Sequence, residues 1–322
     1  MLRTGFESQS MVDFSVFFPF LCLSIAMSLP FSYFIWGLSV LLGSSSSILT
    51  RLASGVPASS IGFWRVAGAA LLLAPWAFHV WIREGRPRVF TAGVLLTGLL
   101  FGLHFATWSW VLVLPGFTIA NAMLFIGLQP LMAPWIARPL LGERLTPREI
   151  AGCVIACLGM AWIFLPQLLR DHGQAVGSAV TLLSAFLCAA YFVLTRKYRV
   201  RTHVMLFSVG VFTVAAAVLA ATALLLNGHI SIGETTKQRL AILGLVLLPT
   251  IGGHVLAMFL LRHVKSQMAT LSIPTQFVIG TLVAMPLFGE YPVRAFWLGA
   301  VLVMVGVVLG ILPSAAKKPG GR

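Results

Sequence analysis

Residues 139–152 read PLLGERLTPREIAG, and residues 286–299, which lie 147 positions later, read PLFGEYPVRAFWLG. At this one offset, polar residues, glycines and prolines coincide without a gap. The matched pairs are Gln129 and Gln276, Pro139 and Pro286, Gly142 and Gly289, Glu143 and Glu290, Gly152 and Gly299, Gly159 and Gly306, and Pro166 and Pro313. Apolar matches are common by chance in an apolar sequence, but matches of these residue types are not. The chain therefore contains an internal repeat.

The composition is that of a membrane protein. Of the 322 residues, 59% are hydrophobic and 9% are charged, whereas about 25% are charged in a soluble domain. Because one span needs about 20 apolar residues, the length allows about ten spans, which excludes a soluble enzyme. The net charge of +14 resides mainly in short connectors, as expected for topology signals, so we expect no nucleic-acid partner.

Breaks in the apolar runs divide the chain into ten segments of membrane-spanning length. They lie approximately at residues 30–50, 58–80, 89–113, 117–137, 147–166, 175–195, 203–226, 240–261, 266–288 and 292–312. Because five spans per repeat is an odd number, the second copy has the opposite orientation in the membrane. We predict an all-α integral membrane protein with ten transmembrane helices in two inverted five-helix repeats, residues 30–166 and 175–313. Residues 1–29 form a partly apolar extension, and residues 314–322 form a basic tail.

The distribution of Lys and Arg between alternate connectors predicts the orientation. With the N-terminus inside, sixteen of these residues lie inside and five outside, and positive charge is enriched in cytoplasmic loops. We expect a multi-pass protein of a bacterial inner membrane with both termini in the cytoplasm. The apolar stretch 14–29 is interpreted as an extension of the first helix or a surface segment. As an eleventh span, it would move only the N-terminus to the outside.

Several short motifs resemble a known family of membrane proteins. They are Trp36-Gly37, Phe63-Trp64-Arg65 and Leu140-Leu141-Gly142-Glu143-Arg144-Leu145-Thr146, followed by a last helix with spaced glycines. In these motifs the chain after residue 30 is similar to the ten-helix EamA-type branch of the drug/metabolite transporter superfamily. The resemblance implies a metabolite exporter or exchanger with a central cavity between two inverted halves. We include Trp36 among the residues expected to bind the substrate. Substrates of that family range over amino acids, nucleotides, vitamins and drugs, so the resemblance leaves the substrate open.

The acidic residues and the histidines limit the coupling mechanism. All eight Asp and Glu residues map to the N-terminal region or to connectors, which disfavours a proton carrier that needs a buried carboxylate. His104 in the third span and His254 in the eighth lie deep in equivalent helices of the two halves. A neutral imidazole can relay a proton or donate to an anion. Alternatively, each histidine forms a hydrogen bond across a helix interface.

Further candidates for substrate binding lie in the third and fourth spans. Trp108 follows His104 by four residues on the same helical face, where an aromatic ring suits a cyclic or cationic substrate. Alternatively, Trp108 belongs with Trp110 to an aromatic belt at the membrane interface. Asn121, nearer the outer end of the fourth span, is another candidate.

The repeat-related amides of Gln129 and Gln276 adjoin Pro130 and Pro274 in the fourth and ninth spans. A proline within a span frees a backbone carbonyl, and such carbonyls are tolerated where they face protein or a cavity. The two amides therefore form a midplane binding site, or each satisfies the freed carbonyl of a local hinge.

Three charged residues are interpreted as structural. Arg65, a few residues into the second span, is expected to snorkel to the outer membrane surface. Glu143 and Glu290 are expected to cap the fifth and tenth helices, with gating as a second hypothesis.

The small residues and the cysteines are interpreted as packing residues. The pairs Gly98/Gly102 and Gly306/Gly310 indicate close helix packing, either within the fold or in a homodimer. The four cysteines lack the spacing of a zinc or haem motif, and we expect neither a metal nor a cofactor.

We predict a secondary transporter, an exporter or exchanger of a small metabolite such as an amino acid or a related polar or amphipathic compound. It would work by alternating access around a midplane cavity, and its partners would be the substrate and membrane lipid. A flippase of a lipid or lipid-linked carrier is the alternative. An intramembrane enzyme is disfavoured, because the run Ser44–Ser47 has no histidine at a recognisable spacing and we assign no catalytic residue.

Overall fold

The computed structural model describes residues 29–112, 114–115, 119–170, 175–289 and 291–312. The predictions for the segment 1–28, for Glu290 and for the basic tail lie outside the described residues. Within those ranges the regular structure is helical, and no strand occurs. The helices are α1 (Leu29–Leu52), α2 (Ala58–Arg83), α3 (Ala92–Leu112), α4 (Ile119–Ile126), α5 (Gln129–Leu141), α6 (Pro147–Arg170), α7 (Ala175–Arg199), α8 (Val204–Asn227), α9 (Thr236–Leu245), a π-helical segment (Val246–Val255), α10 (Leu256–Leu260), α11 (Ser266–Thr270), α12 (Ser272–Phe288) and α13 (Ala295–Ile311).

These helices combine into ten spans, numbered 1 to 10 in chain order. In the described part of the chain, nine spans are long and apolar enough to cross a membrane, and the shorter apolar helix α13 is the tenth. Three spans are composite: α4 and α5 form span 4, α9 to α10 form span 8, and α11 and α12 form span 9. The prediction of an all-α membrane protein is confirmed.

The helices of the two halves interleave and do not form two separate bundles. Span 1 packs on spans 8 and 9, and its counterpart, span 6, packs on spans 3 and 4. Spans 2 and 7 pack on each other, as do spans 5 and 10. Exchanging the two halves converts the contacts of span 1 into those of span 6 and maps the pairs 2–7 and 5–10 onto themselves, as expected for inverted repeats around a pseudo-two-fold axis.

The contact between α6 and α13 shows the same symmetry in its repeat-matched glycines. A Cβ on Gly306 would lie 2.3 Å from the backbone nitrogen of Ala156 and 2.6 Å from the carbonyl oxygen of Gly152. A Cβ on Gly159 would lie 2.7 Å from the carbonyl oxygen of Gly299. Exchange of the halves converts the contact between Gly152 and Gly306 into that between Gly299 and Gly159. Glycine at these positions lets the two helix backbones touch.

The two GxxxG pairs are also used inside the fold. A Cβ on Gly98 or Gly102 of α3 would lie 2.6 or 2.7 Å from a valine side chain of α8. Gly310 faces the side chain of Leu271, and Gly306 faces α6. The structure therefore assigns these glycines to packing within the chain, and the homodimer stays a prediction.

Prolines explain why spans 4 and 9 are broken. Because a proline has no N–H group, it cannot donate to the carbonyl four residues earlier. α4 ends at Ile126, four residues before Pro130, and α11 ends at Thr270, four residues before Pro274. Each break thus lies one turn upstream of its proline.

Candidate functional site

The side chain of Arg65 lies inside the bundle, where the two halves meet. It is only 7% exposed. Its Nε donates a hydrogen bond to the hydroxyl of Thr250 (3.1 Å), and its Nη1 donates one to the hydroxyl of Ser46 (3.3 Å). The guanidinium carbon lies 4.7 Å from the centre of the Phe105 ring. Spans 1, 2 and 3 of the first half and span 8 of the second therefore share one buried cation.

The prediction that Arg65 snorkels to the membrane surface is wrong. Two hydroxyl groups and an aromatic face supply its contacts inside the protein, so the side chain does not extend to water. None of these neighbours carries a negative charge, and no described Asp or Glu forms an ion pair with Arg65. A charge within a span costs about 2.5 to 3.5 kcal/mol on insertion scales, and such charges mark substrate or ion pathways.

The hydroxyl of Thr250 is oriented by the irregular helix that carries it. Pro249 cannot donate to the carbonyl of Leu245, and the Thr250 hydroxyl donates to that carbonyl instead (2.7 Å). Because its proton is used in this bond, the Thr250 oxygen presents lone pairs to Arg65. The π-helical segment around Thr250 is a type of irregularity that recurs at functional sites.

Three further rings contact Phe105. Phe101 packs edge-on against Phe105 with 5.0 Å between ring centroids. The imidazoles of His104 and His254 lie 5.1 and 6.4 Å from the Phe105 centroid. The structure thus brings both predicted histidines to the ring that contacts Arg65.

His104 is held in place by span 6. Its Nδ1 lies 3.0 Å from the carbonyl oxygen of Ser184 and 2.9 Å from the hydroxyl, which itself donates to the carbonyl of His104 (3.1 Å). Because a carbonyl only accepts, a neutral imidazole in this position carries its proton on Nδ1 and leaves Nε2 as an acceptor. This is the hydrogen bond across a helix interface that we considered for His104, and its role in transport stays a prediction.

The two histidines occupy equivalent helices but not equivalent positions. Ser39 of span 1 donates to the carbonyl of Gly253 in span 8 (2.8 Å), in the same way that Ser184 of span 6 donates to His104 in span 3. By this contact, Gly253 of span 8 corresponds to His104 of span 3, and His254 therefore corresponds to Phe105. The two halves therefore contribute different side chains to this cluster.

The amide of Gln276 in span 9 lies against span 1. A Cβ on Gly43 would be only 2.6 Å from the Gln276 Nε2, so the glycine provides the space that this half-buried amide occupies. Ser46, which contacts Arg65, lies one turn further along span 1. Span 1 thus connects Gln276 to the cluster around Arg65.

Gln129 and Asn121 of span 4 are completely buried. The side chain of Gln129 lies beside the thiol of Cys188 in span 6. Two other side chains donate to backbone carbonyls here: the Nε2 of Gln267 in span 9 to that of Pro130 (2.9 Å), and the thiol of Cys157 to that of Gly127 (3.5 Å). Binding of substrate by Gln129 and Asn121 stays a prediction.

Trp36 joins spans 1 and 9. Its indole N–H donates to the carbonyl of Met268 (2.8 Å), close to the break before α12. The aromatic ring that contacts His104 is Phe105, whereas Trp108, one turn further along α3, is half-buried. For both tryptophans, binding of substrate stays a prediction.

At one end of the bundle, ion pairs join the two halves. Glu143 pairs with Arg196 and accepts hydrogen bonds from the backbone N–H (3.2 Å) and hydroxyl (2.8 Å) of Ser266. Glu149 pairs with Lys265 (2.7 Å). Both carboxylates belong to the first half and their partners to the second. These contacts hold the two halves together at this end.

The prediction that Glu143 caps the helix of span 5, which is α6, is wrong. Thr146 and Glu149 form the cap: the Thr146 hydroxyl accepts from the Glu149 N–H (3.3 Å), and the Glu149 carboxylate accepts from the Thr146 N–H (2.6 Å). This reciprocal pair is a capping box, which needs a spacing of three residues. Glu143 lies too far before α6 to take part and instead pairs with Arg196.

A cavity of about 320 Å³ lies at the same end. Besides Glu143, the charged residues that line it are cationic. They are Arg196, Lys197, Arg201 and Arg262. An excess of positive charge in a cleft raises the local concentration of anions.

Sequence reasoning did not identify Thr250, Phe105 or Gln267, and it misjudged Arg65. A signal existed for two of them: Arg65 is a cation within a predicted span, and Thr250 follows a proline within another. Phe105 is one of 23 phenylalanines, and nothing in the sequence distinguishes it. Its importance follows only from its contact with Arg65.

Comparisons with known proteins agree with this architecture. The chain matches the EamA-like transporter family over residues 31–165 and again over residues 175–312. It is 28% identical over 181 residues to the "Probable amino-acid metabolite efflux pump" of Escherichia coli (strain K12); the alignment covers 53% of this chain and 60% of that relative, less than two thirds of its length. A protein of known crystal structure, 20% identical, has the same fold with a TM-score of 0.71, covering 88% of this chain and 96% of the other. Because both halves match the family's domain, the chain belongs to the EamA-like transporter family.

Proposed function

We propose that the protein is a secondary transporter that exports or exchanges a small metabolite, such as an amino acid or a related polar or amphipathic compound. The observation that carries this proposal is the cluster in which Arg65 of the first half contacts Thr250 of the second, beside Phe105 and His254. A substrate bound between two inverted halves is exposed to each side of the membrane in turn when the halves rock. The relative named as an amino-acid metabolite efflux pump supports a substrate of this size.

Alternating access needs a closure that opens reversibly. We assign this role to the pairs Glu143–Arg196 and Glu149–Lys265, which connect the two halves at one end. The excess of Lys and Arg in the connectors of that end supports its assignment to the cytoplasmic side. The four side chains keep 8 to 38% of their surface exposed, so water can reach the charges when this closure opens during a transport cycle.

The test is mass-spectrometric profiling of vesicles that contain the purified full chain. They are loaded with an isotope-labelled pool of water-soluble metabolites and incubated with and without the same unlabelled pool outside, with protein-free vesicles as the control. Selective loss of a few labelled compounds supports the proposal. Loss without external compound indicates export, and loss only with it indicates exchange.

Loss of no labelled compound in either condition, relative to protein-free vesicles, would contradict a metabolite transporter. A fluorescent-phospholipid translocation assay on the same vesicles would then test the flippase alternative. Thermal unfolding of the reconstituted protein establishes that the protein in the vesicles is folded.

A further inference from the structure

We infer that Arg65 binds the carboxylate of the transported substrate, and that the substrate class is a small organic monoanion, or an amino acid, with an apolar portion. This inference rests on the proposed function and adds the chemical group that the site recognises. It starts from an imbalance of charge. Arg65 is 7% exposed, lies within span 2, and has hydroxyl groups and an aromatic ring as neighbours but no described carboxylate.

The donors of the guanidinium are only partly used. A guanidinium has five N–H groups in a planar fork that matches the two oxygens of a carboxylate. In the structure, Nε contacts Thr250 and Nη1 contacts Ser46. The Nη2 amino group has no hydrogen-bond partner among the described residues. The fork therefore retains donors for an incoming anion while the two hydroxyl groups keep its plane in place.

The surroundings favour a monoanion with an apolar part. One guanidinium neutralises one negative charge, whereas a phosphate group with two charges needs a second cation. The nearest imidazoles are those of His254, which contacts the Phe101 ring, and His104, which contacts Ser184. In their neutral form they do not supply this second positive charge. Phe105 and Phe101 offer apolar surface next to the charge. At the end of the bundle where the ion pairs lie, the cationic lining of the cavity raises the local concentration of anions.

The experiment compares acids with amides that differ only in charge at one group. Vesicles containing the full chain are loaded with leucine, phenylalanine and threonine, or with the corresponding α-carboxamides, and efflux is measured above that of protein-free vesicles. We expect the wild-type protein to export at least one of the acids about tenfold faster than its amide, the size of change that loss of a charge-assisted hydrogen bond produces. Arg65→Gln removes this preference, and Arg65→Lys restores part of it. Arg83→Gln, on the exposed end of the same helix, keeps it.

A second measurement on the wild-type protein does not depend on whether the Arg65 variants fold. The acids, but not the amides, are expected to raise the temperature of thermal unfolding. Equal efflux and equal stabilisation by acids and amides would overturn the role of Arg65 and leave transport intact. If neither pool leaves the vesicles and neither stabilises the protein, the inference is overturned, and the metabolite profiling decides separately whether the chain transports anything.

Discussion

The Nε of Arg65 donates a hydrogen bond of 3.1 Å to the hydroxyl of Thr250, and this bond links the second span of one half to the third span of the other. The same hydroxyl donates to the carbonyl of Leu245, to which Pro249 cannot donate. One oxygen atom thus supports both an irregular helix and a buried cation. Changes at Thr250 therefore test whether helix geometry and substrate recognition are coupled.

Replacing Thr250 by valine removes the hydroxyl but keeps the shape of the side chain. We expect a loss of about 1 to 3 kcal/mol in stability, because the buried Nε–H of Arg65 loses its acceptor, together with a loss of transport. Thr250→Ser keeps the hydroxyl and is expected to keep both. Thermal unfolding and vesicle efflux measure the two effects. Equal behaviour of the two variants would show that the hydroxyl has no such role.

Replacing Gly306 by alanine is expected to separate α6 from α13. The new Cβ would lie 2.3 Å from the backbone nitrogen of Ala156, which cannot move without the whole helix. Overpacking of this kind costs about 1 to 3 kcal/mol. Gly37→Ala is the matched control, since a Cβ at Gly37 meets nothing within 4 Å. Equal unfolding temperatures for the two variants would contradict the close contact of the backbones.

Neutralising either member of the pair Glu143–Arg196 is expected to loosen the end of the bundle that this pair closes. Glu143→Gln and Arg196→Gln should each increase hydrogen exchange in the connector 261–265, whose carbonyls accept from Arg196. Residues in direct contact show coupling of about 0.5 to 3 kcal/mol in double-mutant cycles. The effect of the double substitution should therefore differ from the sum of the two single effects. Glu234→Gln, at an exposed carboxylate, is the control. Additive effects of the two substitutions would mean that the pair does not act as one unit.

His104→Ala is expected to abolish transport while the protein still folds. Its contact with Ser184 allows a sharper design. If His104 serves only to join spans 3 and 6, Ser184→Ala and His104→Ala will lower stability by similar amounts and will lower transport no further than this loss explains. If the imidazole acts in transport, only His104→Ala will stop efflux of the compound found by profiling.

Gln276→Ala is likewise expected to abolish transport with folding intact. Gly43→Ala provides an independent test, because its Cβ would meet the flexible end of the Gln276 side chain, which can move aside. A reduced transport rate at unchanged unfolding temperature is expected for Gly43→Ala. Normal efflux in both variants would remove Gln276 from the candidate site.

Composition and local pattern were sufficient for the architecture. The number of spans follows from the apolar length that a bilayer requires, and the odd number of spans per repeat determines the inverted orientation. The breaks in spans 4 and 9 follow from Pro130 and Pro274, because the missing N–H of a proline acts on the carbonyl four residues earlier in the same helix. The sequence by itself therefore determined the features that depend on neighbours along the chain.

Only the tertiary structure decided which polar residues meet. Arg65 was visible as a cation within a span, but its burial depends on Thr250, which lies 185 residues away in the other half. Glu143 was assigned to a helix end nearby, whereas its partner Arg196 lies in the next half. Side chains in interleaved helices contact residues that are distant in sequence, and periodicity shows that a residue lies in a span without showing what faces it. The arrangement of charge inside this protein is thus a property of the packing between its two halves.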